Sequence, residues 1–227
     1  VPYVNADPLT VDRIAKWSSV PDAVLETVTL PVNAAMSNWI KGQYPEGHRG
    51  YCVDVGASDG MFINSTWVLE KQYRWTVLSV EANPYMKPLL IKRRSFVKMC
   101  AVGAESADDV DFHMNAENLE AFSALSPVRD HPRFKEEAGE RWETVKVNVR
   151  TLDQILAESE FPRLDALCID VEGGERDVLK GIDLNKWRPR VIVAESWREG
   201  ELDDALPGYE RLWRQEANDA YVRRETE

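Results

Sequence analysis

The chain has 227 residues, 44% of them hydrophobic, which suits one α/β domain with a sizeable core that needs neither disulfides nor metals to fold. Its 28 Lys and Arg stand against 39 Asp and Glu, a formal net charge of −11. Such a chain repels nucleic-acid backbone and anionic membrane, so neither is expected as a partner.

The three cysteines, Cys52, Cys100 and Cys168, each lie in or beside a short apolar run. Their odd number, with no CxxC or Cys/His cluster, argues against a disulfide framework and against a zinc site. No apolar stretch approaches the ~20 residues of a membrane span, and no signal peptide is visible. The expected setting is reducing and cytoplasmic.

Residues 1–48 read as an N-terminal helical extension and 49–227 as one domain. In the extension, Val11–Trp17 and Ala34–Ile40 are predicted as short helices, with Pro21 and Pro31 as breakers. From Tyr51 the pattern alternates. Predicted strands are YCVDV, WTVLSVEA, SFVKMCAV, LDALCID and RVIVAES, short and apolar on both faces, as central parallel strands are. Predicted helices are Phe62–Lys71, Pro84–Arg94, Thr151–Glu158 and Gly174–Lys180. Pro84 suits a first turn, and Thr151 is a candidate cap. ADDVDFHM and ETVKVNVR alternate with period two and read as an added antiparallel pair or a sheet edge. The tail YERLWRQEANDAYVRR reads as two strands with a turn near Asn218 and Asp219. The fold class is α/β: a doubly wound, Rossmann-like sheet, mostly parallel, with antiparallel C-terminal strands.

In such sheets ligands bind at the carboxyl ends of the strands. The first such loop is GASDG. It lacks the G-x-G-x-x-G of a dinucleotide site and the G-x-x-x-x-G-K-S/T of a P-loop. It carries Asp54 before Gly56 and Asp59 before Gly60. Acids there suit a cationic, phosphate-free cofactor, and S-adenosylmethionine is such a molecule. The second strand ends in Glu81, whose carboxylate can accept both hydroxyls of a ribose. Ala101 and Val102 end the third strand and leave room for a flat adenine. Each signal alone also fits turn chemistry or an exposed strand end; their order along successive strands favours the cofactor. The basic residues Lys87, Lys92, Arg93, Arg94 and Lys98 read as a solvated helix face, with an anionic-substrate site as the sharper reading.

VDVGASDG, VEANP, CAVG and above all LDALCIDVEGGERDVLKG resemble the FkbM-type methyltransferases, which are S-adenosylmethionine-dependent O-methyltransferases. The resemblance covers about Cys52 to Glu195, and IDVEGGE is its most specific part. It implies that Asp54, Gly56, Ala57, Ser58, Asp59, Gly60, Glu81, Ala82, Asn83, Ala101, Val102 and Asp170 lie on cofactor-binding loops. It also implies a hydroxyl acceptor on a sugar, glycan, polyketide or other small metabolite.

Methyl transfer to an aliphatic hydroxyl needs positioning and a base or a metal. The candidates are Asp170 and Glu172 after the fourth strand and Glu195 after the fifth. Neighbouring strands lie ~4.8 Å apart, so Asp170 and Glu195 can share a divalent cation such as Mg²⁺ or Mn²⁺. Alternatively, Asp170 or Glu172 serves as general base with no metal. Glu175 reads as a helix-capping carboxylate. His113, Ser123 and Trp197 are candidate acceptor contacts, and His131 lies in a long loop that can serve as a lid; His48 reads as surface. A nicotinamide oxidoreductase is the alternative from another class; it lacks its glycine fingerprint and a catalytic Tyr/Lys or His pair.

Overall fold

The structure, a computed structural model, describes residues 19–62, 64–115, 123–125 and 142–225. The predicted helix at Val11–Trp17 and the candidate His131 lie outside them. Helix α1 spans Asp22–Gly42, capped at its start by Pro21 and running straight through Pro31, so the expected break at Pro31 does not occur. The remaining elements are β1 (Tyr51–Val55), α2 (Trp67–Lys71), β2 (Thr76–Glu81), α3 (Lys87–Arg93), β3 (Phe96–Met99), β4 (Ala101–Val102), β5 (Ala107–Asn115), β6 (Ser123–Leu125), β7 (Trp142–Arg150), α4 (Leu152–Glu158), β8 (Ala166–Ile169), α5 (Glu175–Lys180), α6 (Leu184–Trp187), β9 (Val191–Glu195), β10 (Tyr209–Gln215) and β11 (Asn218–Arg223).

Seven strands form the main sheet in the order β10-β11-β9-β8-β1-β2-β3. The five from β9 to β3 are parallel, and β11 and β10 add antiparallel. From β1 the chain builds outward through β2 and β3, then returns to lay β8 on the other side of β1. The strand order therefore switches between β1 and β8, where α/β sheets open a ligand crevice.

Side chains alternate across this sheet because a strand repeats every two residues. Val53, Val55, Leu167, Ile169, Ile192 and Ala194 point to one face, where they pack with Leu152, Ile155 and Leu156 of α4 and Val178 of α5. Cys52, Ala166, Cys168, Val191 and Val193 point to the other, against Met36 and Ile40 of α1 and Leu69 of α2. Burial on both faces explains the near-continuous apolar runs of these strands. All three cysteines are buried free thiols.

A second sheet runs β4-β7-β5-β6. The predicted strand SFVKMCAV divides here: Phe96–Met99 pairs with β2 in the main sheet, and Ala101–Val102 pairs with Val149 and Arg150 of β7. The expected β5–β7 pairing is antiparallel, with a bulge between Ala107 and Val110. Helix α3 begins at Lys87, with Pro88 rather than Pro84 in its first turn. Thr151 caps α4, its hydroxyl accepting from the Gln154 amide at 3.2 Å. The tail hairpin turns at Glu216 and Ala217, two residues before the predicted place, with Gln215 opposite Asn218. No described helix is long and apolar enough to cross a membrane.

Candidate active site

Register places the site. Val55 lies beside Val80 on one side and Ile169 on the other, and Ile169 lies beside Ala194. The residues that follow or end these strands, Gly56, Glu81, Asp170 and Glu195, are thus brought to one edge of the sheet. A cavity of about 240 Å³ opens there. Its floor is Val55–Ser58. Glu81–Asn83 and Cys100–Val102 form one side, Asp170–Glu172 the other, and Phe112, Ser123 and Leu125 of the second sheet close over it. None of the described residues lining it is a Lys, Arg or His; Glu81, Asp170 and Glu172 are its charged groups.

Gly56 is the closest approach of the two halves. It sits at φ +83°, and a Cβ built on it would lie 1.6 Å from the carbonyl oxygen of Asp170. Only glycine permits both the left-handed turn and that contact. The amides of Gly56 and Ala57 both donate to the Val80 carbonyl, at 2.9 and 3.1 Å. Ser58 and Glu172, both outside glycine's privilege, also adopt positive φ, 50° and 59°. Held strain of this kind concentrates at working sites.

Glu81 knits two loops together. One carboxylate oxygen accepts from the Ser58 amide at 2.7 Å and the other from the Asn83 amide at 2.6 Å. Each oxygen keeps a second lone pair for a ligand. Burial pushes its carboxyl up to about 7, against the pull of those amides. Asn83 is buried, with its oxygen accepting from the Tyr85 amide at 2.9 Å. Its Nδ2 is a buried donor with no protein partner at the cavity wall. An acceptor beside an unsatisfied donor is the chemistry a nucleoside uses, so these residues fit one.

At the far end, the carboxylates of Asp170, Glu172 and Glu195 each offer an oxygen, all within 4.8 Å of one another. Asp170 faces the open cavity and is solvent-exposed there, although many protein atoms crowd around its carboxyl. Burial, then the charge of Asp54, raise its carboxyl to about 6, while a hydrogen bond with Glu195 opposes the rise. Glu175 has a supporting role: its Oε1 accepts from the amides of Val171 and Gly173 at 3.0 and 3.1 Å, fixing the Asp170–Gly174 loop. It lies in the first turn of α5, as expected of a capping acid, and burial raises its carboxyl to about 7.

The acids of the first loop face elsewhere. Asp54 alternates onto the same sheet face as Cys52. There it accepts from Asn64, Thr66 and Arg94 at 2.9, 2.8 and 3.1 Å. Asp59 pairs with Arg93 at 2.6 Å. Both arginines are buried, so neither belongs to a solvated face or to an anion site; they neutralise the two aspartates. These acids therefore do not face the cavity to meet a cationic cofactor, as their place in the sequence suggests; they hold the loop's shape. Asp54, Asp59 and Gly60 are not among the cavity's lining residues, whereas Gly56, Ala57, Ser58, Glu81, Ala82, Asn83, Ala101, Val102 and Asp170 are.

Of the acceptor candidates, Ser123 lines the cavity. His113 lies on the strand face opposite Phe112, with Nδ1 2.8 Å from the Thr144 hydroxyl, and Trp197 is half-buried; neither lines it. Phe62, Asn64, Met86, Cys100, Phe112 and Leu125 line it without having been singled out in the sequence. The period-two alternation of ADDVDFHM puts Phe112 on one face with Val110 and Met114, which is the sequence signal for its place here.

The Methyltransferase FkbM domain family matches residues 54–217, which spans the cavity's strand ends and reaches through β10, the first strand of the tail hairpin. The chain belongs to the FkbM methyltransferase family. Methyltransferase sdnD of Sordaria araneosa is 30% identical over 173 residues, 65% of this chain and 66% of that protein. The crystal structure of a methyltransferase FkbM from Methylobacillus flagellatus KT matches with a TM-score of 0.50 at 17% identity, over 77% of this chain and 43% of that one. The latter likeness speaks for the fold. The chain spans less than two thirds of either relative's length.

Proposed function

We propose that the chain is an S-adenosylmethionine-dependent O-methyltransferase acting on a hydroxyl of a sugar or glycan. The observation that carries the cofactor reading is the cavity itself. It lies at the switch point, offers Glu81 and the unsatisfied Asn83 amide to a nucleoside, and has three acids and no cation among its described lining residues. A phosphate-bearing dinucleotide would meet carboxylates where it needs positive charge. The volume, about 240 Å³, also lies just under the roughly 300–1,000 Å³ typical of small-molecule sites. That size suits a nucleoside better than a dinucleotide.

The donor, when bound, supplies a methyl group already activated on a sulfonium. The protein's work is to bring the acceptor oxygen within ~3 Å in line with it and to take the proton. Asp170 serves as the base. With its carboxyl raised to about 6, it is ionised near neutrality yet basic enough to share a hydroxyl proton. Glu195 orients it through their hydrogen bond. Glu172, on the strained turn, faces the acceptor side. Asp170 would take the acceptor proton at its carboxylate as the methyl is transferred.

Two observations favour second readings. The three clustered carboxylate oxygens would hold a divalent cation that lowers the acceptor's pKa instead. The apolar wall of Phe62, Met86, Phe112 and Leu125 favours a polyketide or similar small hydroxylated metabolite over a sugar. Transfer of labelled methyl onto a panel of glycosides and non-sugar alcohols, with and without EDTA, decides among them. Labelling of glycosides that persists in EDTA is expected. Labelling confined to the non-sugar alcohols would overturn the sugar reading, and loss with EDTA would overturn the metal-free base.

A further inference from the structure

Two ties join helix α1 to the loop that follows β1. The first runs through Arg93, whose side chain is 1% exposed and lies between two acids. Its Nε and Nη2 donate to one oxygen of Asp22, in the first turn of α1, at 3.0 and 2.8 Å. Its Nη1 lies 2.6 Å from Asp59 Oδ2 and also donates to the Asp59 carbonyl at 3.3 Å. The other oxygen of Asp59 accepts from the amides of Met61 and Phe62, both at 2.8 Å, and so holds the turn that presents Phe62 to the cavity. The second tie is the buried Ser37 hydroxyl, which donates to the Ser65 carbonyl at 2.6 Å. Between the two, Met61, Trp67 and Val68 form a small apolar cluster against which Val20 and Ala34 pack.

The span from Asp59 to Ser65 is thereby held at both ends by one helix, and Phe62 and Asn64 within it line the cavity. We propose that α1 straps the Ala57–Asn64 loop into its cofactor-binding shape, with Asp22 and Ser37 as positioning residues. The chemistry supports a strap rather than mere packing. A buried guanidinium that loses one of its two carboxylates keeps unmet donors and pulls on the remaining one, and here the remaining one is Asp59. Asp22 itself is partly exposed, its side chain at 36%, so its removal admits water without opening the core. The role rests on the cofactor reading above; the loop's dependence on α1 does not.

The test uses the full chain and the variants Asp22→Ala and Ser37→Ala. Hydrogen exchange without any ligand is followed at the amides of Met61 and Phe62, with the central strand β8 as reference. Exchange at the loop amides is expected to rise on the order of tenfold in Asp22→Ala, while β8 is unchanged. In parallel, the dissociation constant for S-adenosylmethionine is expected to rise by a similar factor, and Asp22→Asn, which keeps an acceptor oxygen, to fall between. Loop exchange equal to wild type in both variants overturns the strap. Faster loop exchange with unchanged cofactor affinity overturns the positioning role. A wild-type protein that fails to bind S-adenosylmethionine, while Asp22→Ala still loosens the loop, overturns the cofactor reading and leaves the strap standing.

Discussion

Gly56→Ala probes the point on which the site's geometry turns. The added Cβ would lie 1.6 Å from the Asp170 carbonyl oxygen and 2.7 Å from its carbon, both of them backbone atoms that cannot rotate away. Restoring an ordinary contact requires the β1 and β8 loops to part by roughly 2 Å. They are joined there by the Asp170 amide donating to Val55 at 2.9 Å, and Gly56 itself is anchored to Val80. Overpacking of this kind costs about 1–3 kcal/mol, and a non-glycine residue at φ +83° adds about 1–2. The expected loss is therefore about 2–5 kcal/mol, a large part of a typical domain's stability. Urea unfolding measures it. Gly208→Ala is the control, since nothing lies within 4 Å of a Cβ there, and it is expected to change stability by less than about 0.5 kcal/mol. Any folded Gly56→Ala protein should also bind S-adenosylmethionine poorly, because Asp170 and Ser58 move apart. Wild-type stability with intact cofactor binding would show that the two loops do not meet as described.

Glu81→Ala removes the acceptor for a ribose and releases the Ser58 and Asn83 amides; cofactor affinity by calorimetry is expected to fall at least tenfold, by the roughly 1.5–3 kcal/mol of a charged hydrogen bond. Asp170→Asn should lower kcat by about 10²–10⁴ with the melting temperature unchanged. In the wild type, kcat should rise with pH through about 6, as the Asp170 carboxyl loses its proton; a flat profile between pH 5 and 7 would remove it as the base. Glu175→Gln tests linkage. The folded carboxyl at about 7 stands above its ordinary 4.5, so the stability tied to its protonated form is fully present below 4.5 and lost as pH rises through 7. Both amides that it holds use one oxygen, which glutamine keeps. The variant should match wild type at pH 4.5 and be more stable at pH 8, by up to roughly 3 kcal/mol, and denaturant melts at the two pH values check it.

The parallel core was legible because its strands are buried on both faces and read as apolar runs, and the strand ends then follow from topology. That is why the sequence can place Gly56, Glu81, Asp170 and Glu195 at strand ends on one edge of the sheet. What failed was direction. Asp54 and Asp59 sit in the right segment, but alternation turns Asp54 toward α2, and Arg93 and Arg94, 34 and 40 residues after their partners, reach back to Asp59 and Asp54. A one-dimensional reading cannot show that a basic run on one helix is the counterion of an acidic loop. The split of SFVKMCAV between two sheets was hidden for a similar reason. The residues keep strand character throughout, and only the tertiary partner changes at Cys100. Helix α1 runs on through Pro31, although proline is a local breaker. Asn64 and Met86 carry no sequence pattern that marks a ligand wall; they reach the cavity through the fold.

The central claim, that the cavity at the β1/β8 switch holds S-adenosylmethionine, is tested most directly by calorimetry of the wild-type chain with S-adenosylmethionine, its demethylated product and NAD in turn. Saturable one-site binding of the first two and no heat from NAD is the predicted result. Binding of NAD, with no binding of either methyl-donor form, would contradict it.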